Sequence, residues 1–172
     1  MASAKKKRAP AEGEVNARKG YGAQDRVAAS DVLDCLWNPE FEELRLVDPL
    51  AGATDDYVLV FSNQVIGNSV KWSDSGAHNW GKFLAWLKDL SSGWIALKKQ
   101  FPGKEIEVRL KINGGWSSAT HGNQKFPNLS VADFVLNSWS TRSRISGEVW
   151  SAIKKCTSLS PKELKLFINS CS

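Results

Sequence analysis

Cysteine and histidine are scarce in this 172-residue chain, with three of one (Cys35, Cys156, Cys171) and two of the other (His78, His121). No two cysteines stand as CxxC, so neither a disulfide framework nor a zinc site is expected. A reducing, cytoplasmic setting is the default for such a chain. No run of eighteen apolar residues occurs, so no transmembrane helix and no membrane partner is expected. The N-terminus is charged but has no apolar core segment, so no secretory signal is expected. There is no GxSxG elbow and no Gly-rich loop ending in Gly-Lys-Ser or Gly-Lys-Thr. A serine hydrolase of that design and a P-loop nucleotidase are therefore both unsupported. No internal repeat is visible.

What is present argues for a packed domain. The apolar fraction is 42% and there are eight tryptophans, and a chain of this length buries roughly 70% of its unfolded surface. Net charge is +5 and the pI about 9.2, a balance that permits nucleic-acid binding. Part of the excess lies in Lys5, Lys6, Lys7, Arg8, Arg18 and Lys19. That stretch has no periodic apolar pattern, so residues 1–19 are expected to be a flexible basic arm. Lys5–Arg8 reads as a nuclear address, a phosphate-binding arm or simply a solvated start.

The rest, residues 20–172, reads as one domain with a core over about 20–113. Val27, Ala28, Val32, Cys35 and Leu36 recur at helical steps between Tyr21 and Trp37, which predicts an amphipathic helix stopped by Pro39. Glu43–Val47 alternates and Tyr57–Phe61 is a continuous β-branched and aromatic run, so both are expected as strands. Ser69–Trp72 reads as a third strand, reached through a connection punctuated by Asn63 and Gly67. Asn79–Phe101 keeps three- and four-residue apolar steps, with Ser91-Ser92-Gly93 as a potential kink or break. Glu105–Ile112 alternates strictly, the clearest strand pattern in the chain. Gly114–Asn128 is a polar loop. Helices over Val131–Trp139, Gly147–Cys156 and Pro161–Cys171 are expected at the periphery (129–172), the last capped by Ser160. A helical crossover between the third and fourth strands favours a mixed sheet with helices packed on it, an α/β fold.

One pair of residues in this pattern suits chemistry. Asp56 opens the second strand and Lys71 ends the third, 71 − 56 = 15 residues on. Asp56, Val58 and Val60 share a face, as do Ser69 and Lys71 on their own strand. If the strands pair, a carboxylate and an amine meet at one end of the sheet. A carboxylate with a nearby backbone carbonyl, that of Val70, can hold Mg²⁺ or Mn²⁺ through oxygen, with Asp55 or Asp48 as a further ligand. The metal activates a water against a phosphodiester, and the lysine orients that water or offsets developing charge. Taken singly, an Asp-Asp before a strand is more often a turn, and a terminal lysine more often solvated.

With the helix–three strands–helix–strand order, Asp56 in Thr54–Val60 and Lys71 in Ser69-Val-Lys71 resemble the PD-(D/E)xK, or restriction-endonuclease-like, nuclease superfamily. Gly20-Tyr-Gly-Ala-Gln24 before an amphipathic helix, followed by Asp55-Asp56, is similar to the N-terminal nuclease domain of bacterial antiphage defence effectors. The resemblance covers roughly residues 19–113. It implies an αβββαβ core and Mg²⁺-dependent endonuclease activity on double-stranded DNA. It also implies a metal-site role for Gln24, fusion to a sensor or oligomerisation domain in a longer effector, and homo-oligomers. The family's acidic or Gln residue two positions before the lysine is Ser69 here, a hydroxyl without charge.

Lys82, Lys125 and His121 are candidate DNA contacts. Trp72, Trp80, Trp86 and Trp94 read as core or as a base-stacking platform. Glu107, Arg109 and Lys111 share a strand face and are expected to pair with one another. Three readings compete: a metal-dependent endonuclease, a non-catalytic domain of the same fold serving DNA binding or assembly, and an unrelated α/β interaction domain. In the third, Asp56 and Lys71 would lie far apart.

Overall fold

The computed structural model describes residues 10–46, 56–71, 77–78, 80–112, 115–116, 120–121, 124–125 and 144–171. Helix α1 spans Pro10–Cys35 and is followed by strands β1 (Phe41–Leu46), β2 (Tyr57–Phe61) and β3 (Gln64–Lys71). The short strand β4 (Ala77–His78) precedes helix α2 (Trp80–Gln100) and strand β5 (Glu105–Ile112). Three two-residue strands, β6 (Gly115–Trp116), β7 (Thr120–His121) and β8 (Gln124–Lys125), lie in the stretch expected to be a polar loop. Helices α3 (Arg144–Thr157) and α4 (Pro161–Asn169) close the described chain. The helix expected over Val131–Trp139 falls outside the described residues.

The main sheet has the order β1-β2-β3-β5. β1, β2 and β3 pair antiparallel, and β5 joins β3 in parallel. A parallel pair needs a crossover, and α2 supplies it. The sheet is therefore mixed and flanked by helices, as the order of elements implied.

Its two faces carry separate cores. Tyr57, Leu59, Phe61, Ile66 and Val70 pack with Ala28 under α1. Val58, Val60, Val65, Ile106 and Val108 pack against α2, α3 and α4. The strict alternation along β2 follows from the two-residue period of a strand covered on both sides. On the second face, Trp94, Leu97, Leu164 and Phe167 are at most 4% exposed. The Trp94 and Phe167 rings meet edge to face with centroids 5.8 Å apart.

Local chemistry sets the joints. The Asn38 amide donates to the Cys35 carbonyl and its side chain accepts from Glu40 N at 2.9 Å, ending α1 in an Asx-type turn. Gly103, at φ 90°, takes the left-handed position after α2 that a side chain rarely adopts. Glu105 N then donates to the Asn63 carbonyl at 2.8 Å, aligning the start of β5 with β3. Ser160 and Glu163 form a reciprocal capping box on α4, with Pro161 at its first turn.

Four expectations are corrected. α1 starts at Pro10, so residues 10–19 are helical rather than part of a flexible arm. Ala11, Glu12, Glu14 and Ala17 have high helix propensity, which needs no apolar stripe. β3 begins at Gln64, so Ser62-Asn63 alone turns the hairpin and Gly67 lies inside the strand, opposite Val58. α2 is unbroken through Ser91-Ser92-Gly93: Leu90, Trp94 and Leu97 on either side are buried in the core, and both serine hydroxyls donate to the Lys88 carbonyl within the helix. Helices α3 and α4 are not peripheral: Ile153, Leu164, Phe167 and Ile168 complete the second core.

Phe167 is fully buried, so Phe167→Ala is expected to cost about 3–5 kcal/mol of stability. Urea unfolding of the full chain measures it.

Candidate functional site

The ladder between β2 and β3 runs from Val60–Val65 to Tyr57–Asn68. One step further Asp56 lies opposite Ser69, and backbone pairing gives way to a side chain. Val70 N–H donates to Oδ2 of Asp56. Gln24 reaches across from α1, its Nε2 donating to Asp56 Oδ1 at 2.6 Å. Lys71 Nζ lies 3.8 Å from Oδ2, an ion pair without a tight hydrogen bond. The Asp56 side chain is 11% exposed and that of Lys71 26%. Asp56, Gln24, Val70 and Lys71 thus converge at one end of the sheet. Ser69 sits beside them but is buried, at 1% exposure.

A second polar cluster braces α1 next to this corner. Gln24 and Asp31 are seven residues apart, two turns along one helix face, with buried Ala28 between them. Asp31 accepts from the Tyr57 hydroxyl at 2.7 Å and from Lys111 Nζ at 2.6 Å. Tyr57 immediately follows Asp56, and Lys111 lies opposite Val70 in the β3–β5 ladder. The same strands that carry the Asp56 corner therefore also fix the helix that delivers Gln24. Burial, then the hydrogen bond to Asp31, pushes the Tyr57 hydroxyl far above the ordinary tyrosine range. Beside it, Arg109 pairs with Glu107 at 2.7 Å, and Gln64 donates to the same carboxylate at 3.0 Å. The expected pairing of Glu107 with Arg109 holds, whereas Lys111 pairs with α1 instead of with its own strand.

Asp31 and Tyr57 were not singled out from the sequence. The only hint was the seven-residue spacing from Gln24, which reads equally as an ordinary helix face. Of the other candidates, Asp48 and Asp55 lie outside the described residues. Lys82 is exposed on the first turn of α2. His121 and Lys125 fall on the β7–β8 ladder, a two-stranded sheet separate from the one that carries Asp56 and Lys71. Trp94 is core; Trp86 is half-buried on α2.

Comparison with family models, with curated proteins and with solved structures finds no match.

The donor set bears on metal binding. No group of three or more His, Cys, Asp or Glu residues is assembled among the described residues. Asp56 is the carboxylate at the corner, and two of its roughly four acceptor positions are taken by the Gln24 and Val70 donors. Both backbone groups of a strand residue point to the same side, so the Val70 carbonyl faces the Asp56 flank as its N–H does. One carboxylate, a backbone carbonyl and a neighbouring hydroxyl fit Mg²⁺ that keeps several waters, not a cation caged entirely by protein.

The thiols of Cys35, Cys156 and Cys171 are all raised, chiefly by burial, that of Cys171 to about 12. Tyr57 is raised too. A folded-state pKa above the unfolded value gives stability that is complete below the unfolded value and lost above it. Stability is therefore expected to fall as pH rises past 9.0, the ordinary cysteine value. Unfolding curves at pH 8 and about 10.5 measure this loss. Tyr57→Phe is expected to reduce it and, at neutral pH, to cost about 0.5–1.5 kcal/mol for the lost hydrogen bond.

Proposed function

We propose that this chain is a metal-dependent DNA endonuclease, hydrolysing phosphodiesters with low sequence specificity. The observation that carries the reading is the 3.8 Å approach of Lys71 Nζ to the Asp56 carboxylate, at a corner where Gln24 and Val70 also point. Asp56, with the Val70 carbonyl and Ser69, is the group that would hold Mg²⁺ or Mn²⁺, with Asp48 or Asp55 as a further ligand. A divalent cation there would neutralise phosphate charge and lower the pKa of a water. Gln24 fixes the rotamer of Asp56 by its hydrogen bond. Lys71, held only loosely, is able to turn toward a phosphate or its attacking water and offset developing negative charge. The basic balance of the chain favours a polyanionic substrate. Among the described residues no element resembles a base-reading device, in keeping with low specificity. Action as the effector module of a bacterial antiviral defence system, with a sensor domain, rests on the Gly20–Gln24 and Asp55-Asp56 resemblance alone.

A second reading is favoured by Ser69. It is buried and uncharged where the related nucleases carry an acidic residue or Gln, so the corner holds one described carboxylate. A domain of this kind with an impaired site would serve DNA binding or protein assembly.

Nicking of supercoiled plasmid in Mg²⁺ separates the two. Wild type is expected to cleave, and Asp56→Ala and Lys71→Ala each to lose about 10²-fold or more. Cleavage undiminished in both variants would refute the site. Inactive wild type with cleavage gained in Ser69→Glu establishes the impaired reading.

A further inference from the structure

Charge is unevenly placed on this protein. Helices α2, α3 and α4 together carry nine lysines and arginines and three carboxylates, whereas α1 carries three against five. On the sheet and its turns basic side chains are neutralised: Arg45 pairs with Glu43, Lys104 with Glu42, Arg109 with Glu107 and Lys111 with Asp31. Lys88 and Lys99 of α2 and Lys154 and Lys155 of α3 are exposed. Among the described residues none of these four forms an ion pair. Lys98 differs from them, since its ammonium lies 4.4 Å from the centroid of the Trp94 ring.

These lysines continue a line that starts at Lys71. Val65 faces the core under α2, and the two-residue period of β3 puts Ser69 and Lys71 on that same side. α2 crosses from the end of β3 to the start of β5. Its first turn, with exposed Lys82, therefore lies at the Lys71 end of the sheet, and Lys99 lies about 25 Å further along the helix axis. Lys88 and Lys99 are three turns apart and share one line on the outer surface of α2. Lys88 is close enough to Cys156 for its charge to act on that thiol, which places it at the seam of α2 and α3 beside Lys155. A length of about 25 Å matches roughly seven base pairs of duplex, whose regular phosphates call for cations spread along a face. We infer that the DNA backbone runs along the outer face of α2 and the α2–α3 seam, leading away from Lys71, with the α1 side of the molecule turned away from it. DNA as the polyanion rests on the nuclease reading of Asp56, whereas the face follows from the lysines alone.

Fluorescence anisotropy of a labelled duplex of about 20 base pairs, mixed with the full chain in EDTA over a range of salt, tests this without cleavage. Wild type is expected to bind with log Kd rising against log salt at a slope of about 3–4, as roughly four neutralised phosphates require. Lys88→Glu and Lys155→Glu are each expected to raise Kd about fivefold or more and to lower that slope by about one. Their circular dichroism is expected to be unchanged, because both side chains are exposed. Arg26→Glu, an equal change in net charge on exposed α1, is expected to leave the slope as it is in wild type. A wild type that binds in this way yet never cleaves in Mg²⁺ contradicts the nuclease reading and leaves the face standing. Absence of binding by wild type overturns the proposal, as do lysine variants that bind like wild type or an Arg26→Glu effect as large as that of Lys88→Glu. Tighter binding of an RNA duplex of the same sequence overturns DNA as the occupant.

Discussion

The Asp56 carboxylate is the joint at which three elements of this fold meet. It takes Gln24 from α1 on one oxygen and the Val70 amide of β3 on the other, and it stands at the mouth of β2. A carboxylate here replaces the backbone partner that β2 no longer provides. Its neighbour Tyr57 repeats the arrangement through Asp31, which ties α1 to β2 and to Lys111 of β5. Charged hydrogen bonds of this kind are stronger than neutral ones, and they confine the helix to one register on the sheet. The corner is consequently both a structural node and the place where an acid and an amine share a space.

Those two roles compete for the same lone pairs. Each hydrogen bond that Asp56 accepts from the protein is one acceptor position fewer for a cation. The lone pairs that remain would suit a cation that keeps most of its waters, not one caged wholly by side chains. Ser69 sharpens the competition, since it adds a buried hydroxyl where charge would strengthen cation binding. The chemistry of this chain therefore turns on whether Asp56 still offers an oxygen to a metal while it holds α1, β2 and β3 together.

Much of the fold was legible because it rests on periodicity. The unbroken apolar run Tyr57–Phe61, the alternation of Glu105–Ile112 and the helical steps of Asn79–Phe101 each marked an element near its observed limits. A separation of fifteen positions from Asp56 to Lys71, with a hairpin between, was enough to expect their meeting. Other features were not legible for physical reasons. The first turns of α1 lie in a polar stretch whose helicity comes from propensity, not from an apolar stripe. Gly67 looked like punctuation, yet it stands inside a strand. Leu90, Trp94 and Leu97 flank Ser91-Ser92-Gly93 and pack in the core, so a sequence that reads as a break stays helical. Asp31 and Lys111 are eighty residues apart, and no local pattern relates them.

We propose that the Asp56 corner accepts a divalent cation while remaining a structural joint. Titration of Mn²⁺ into the isotopically labelled chain, read as paramagnetic broadening of backbone amides, tests it most directly. Selective loss of the Val70 and Lys71 amide signals at low Mn²⁺, abolished in Asp56→Asn with the rest of the spectrum unchanged, is the predicted result. Broadening spread evenly over acidic surface residues, or identical in Asp56→Asn, would contradict it and leave Asp56 a purely structural residue.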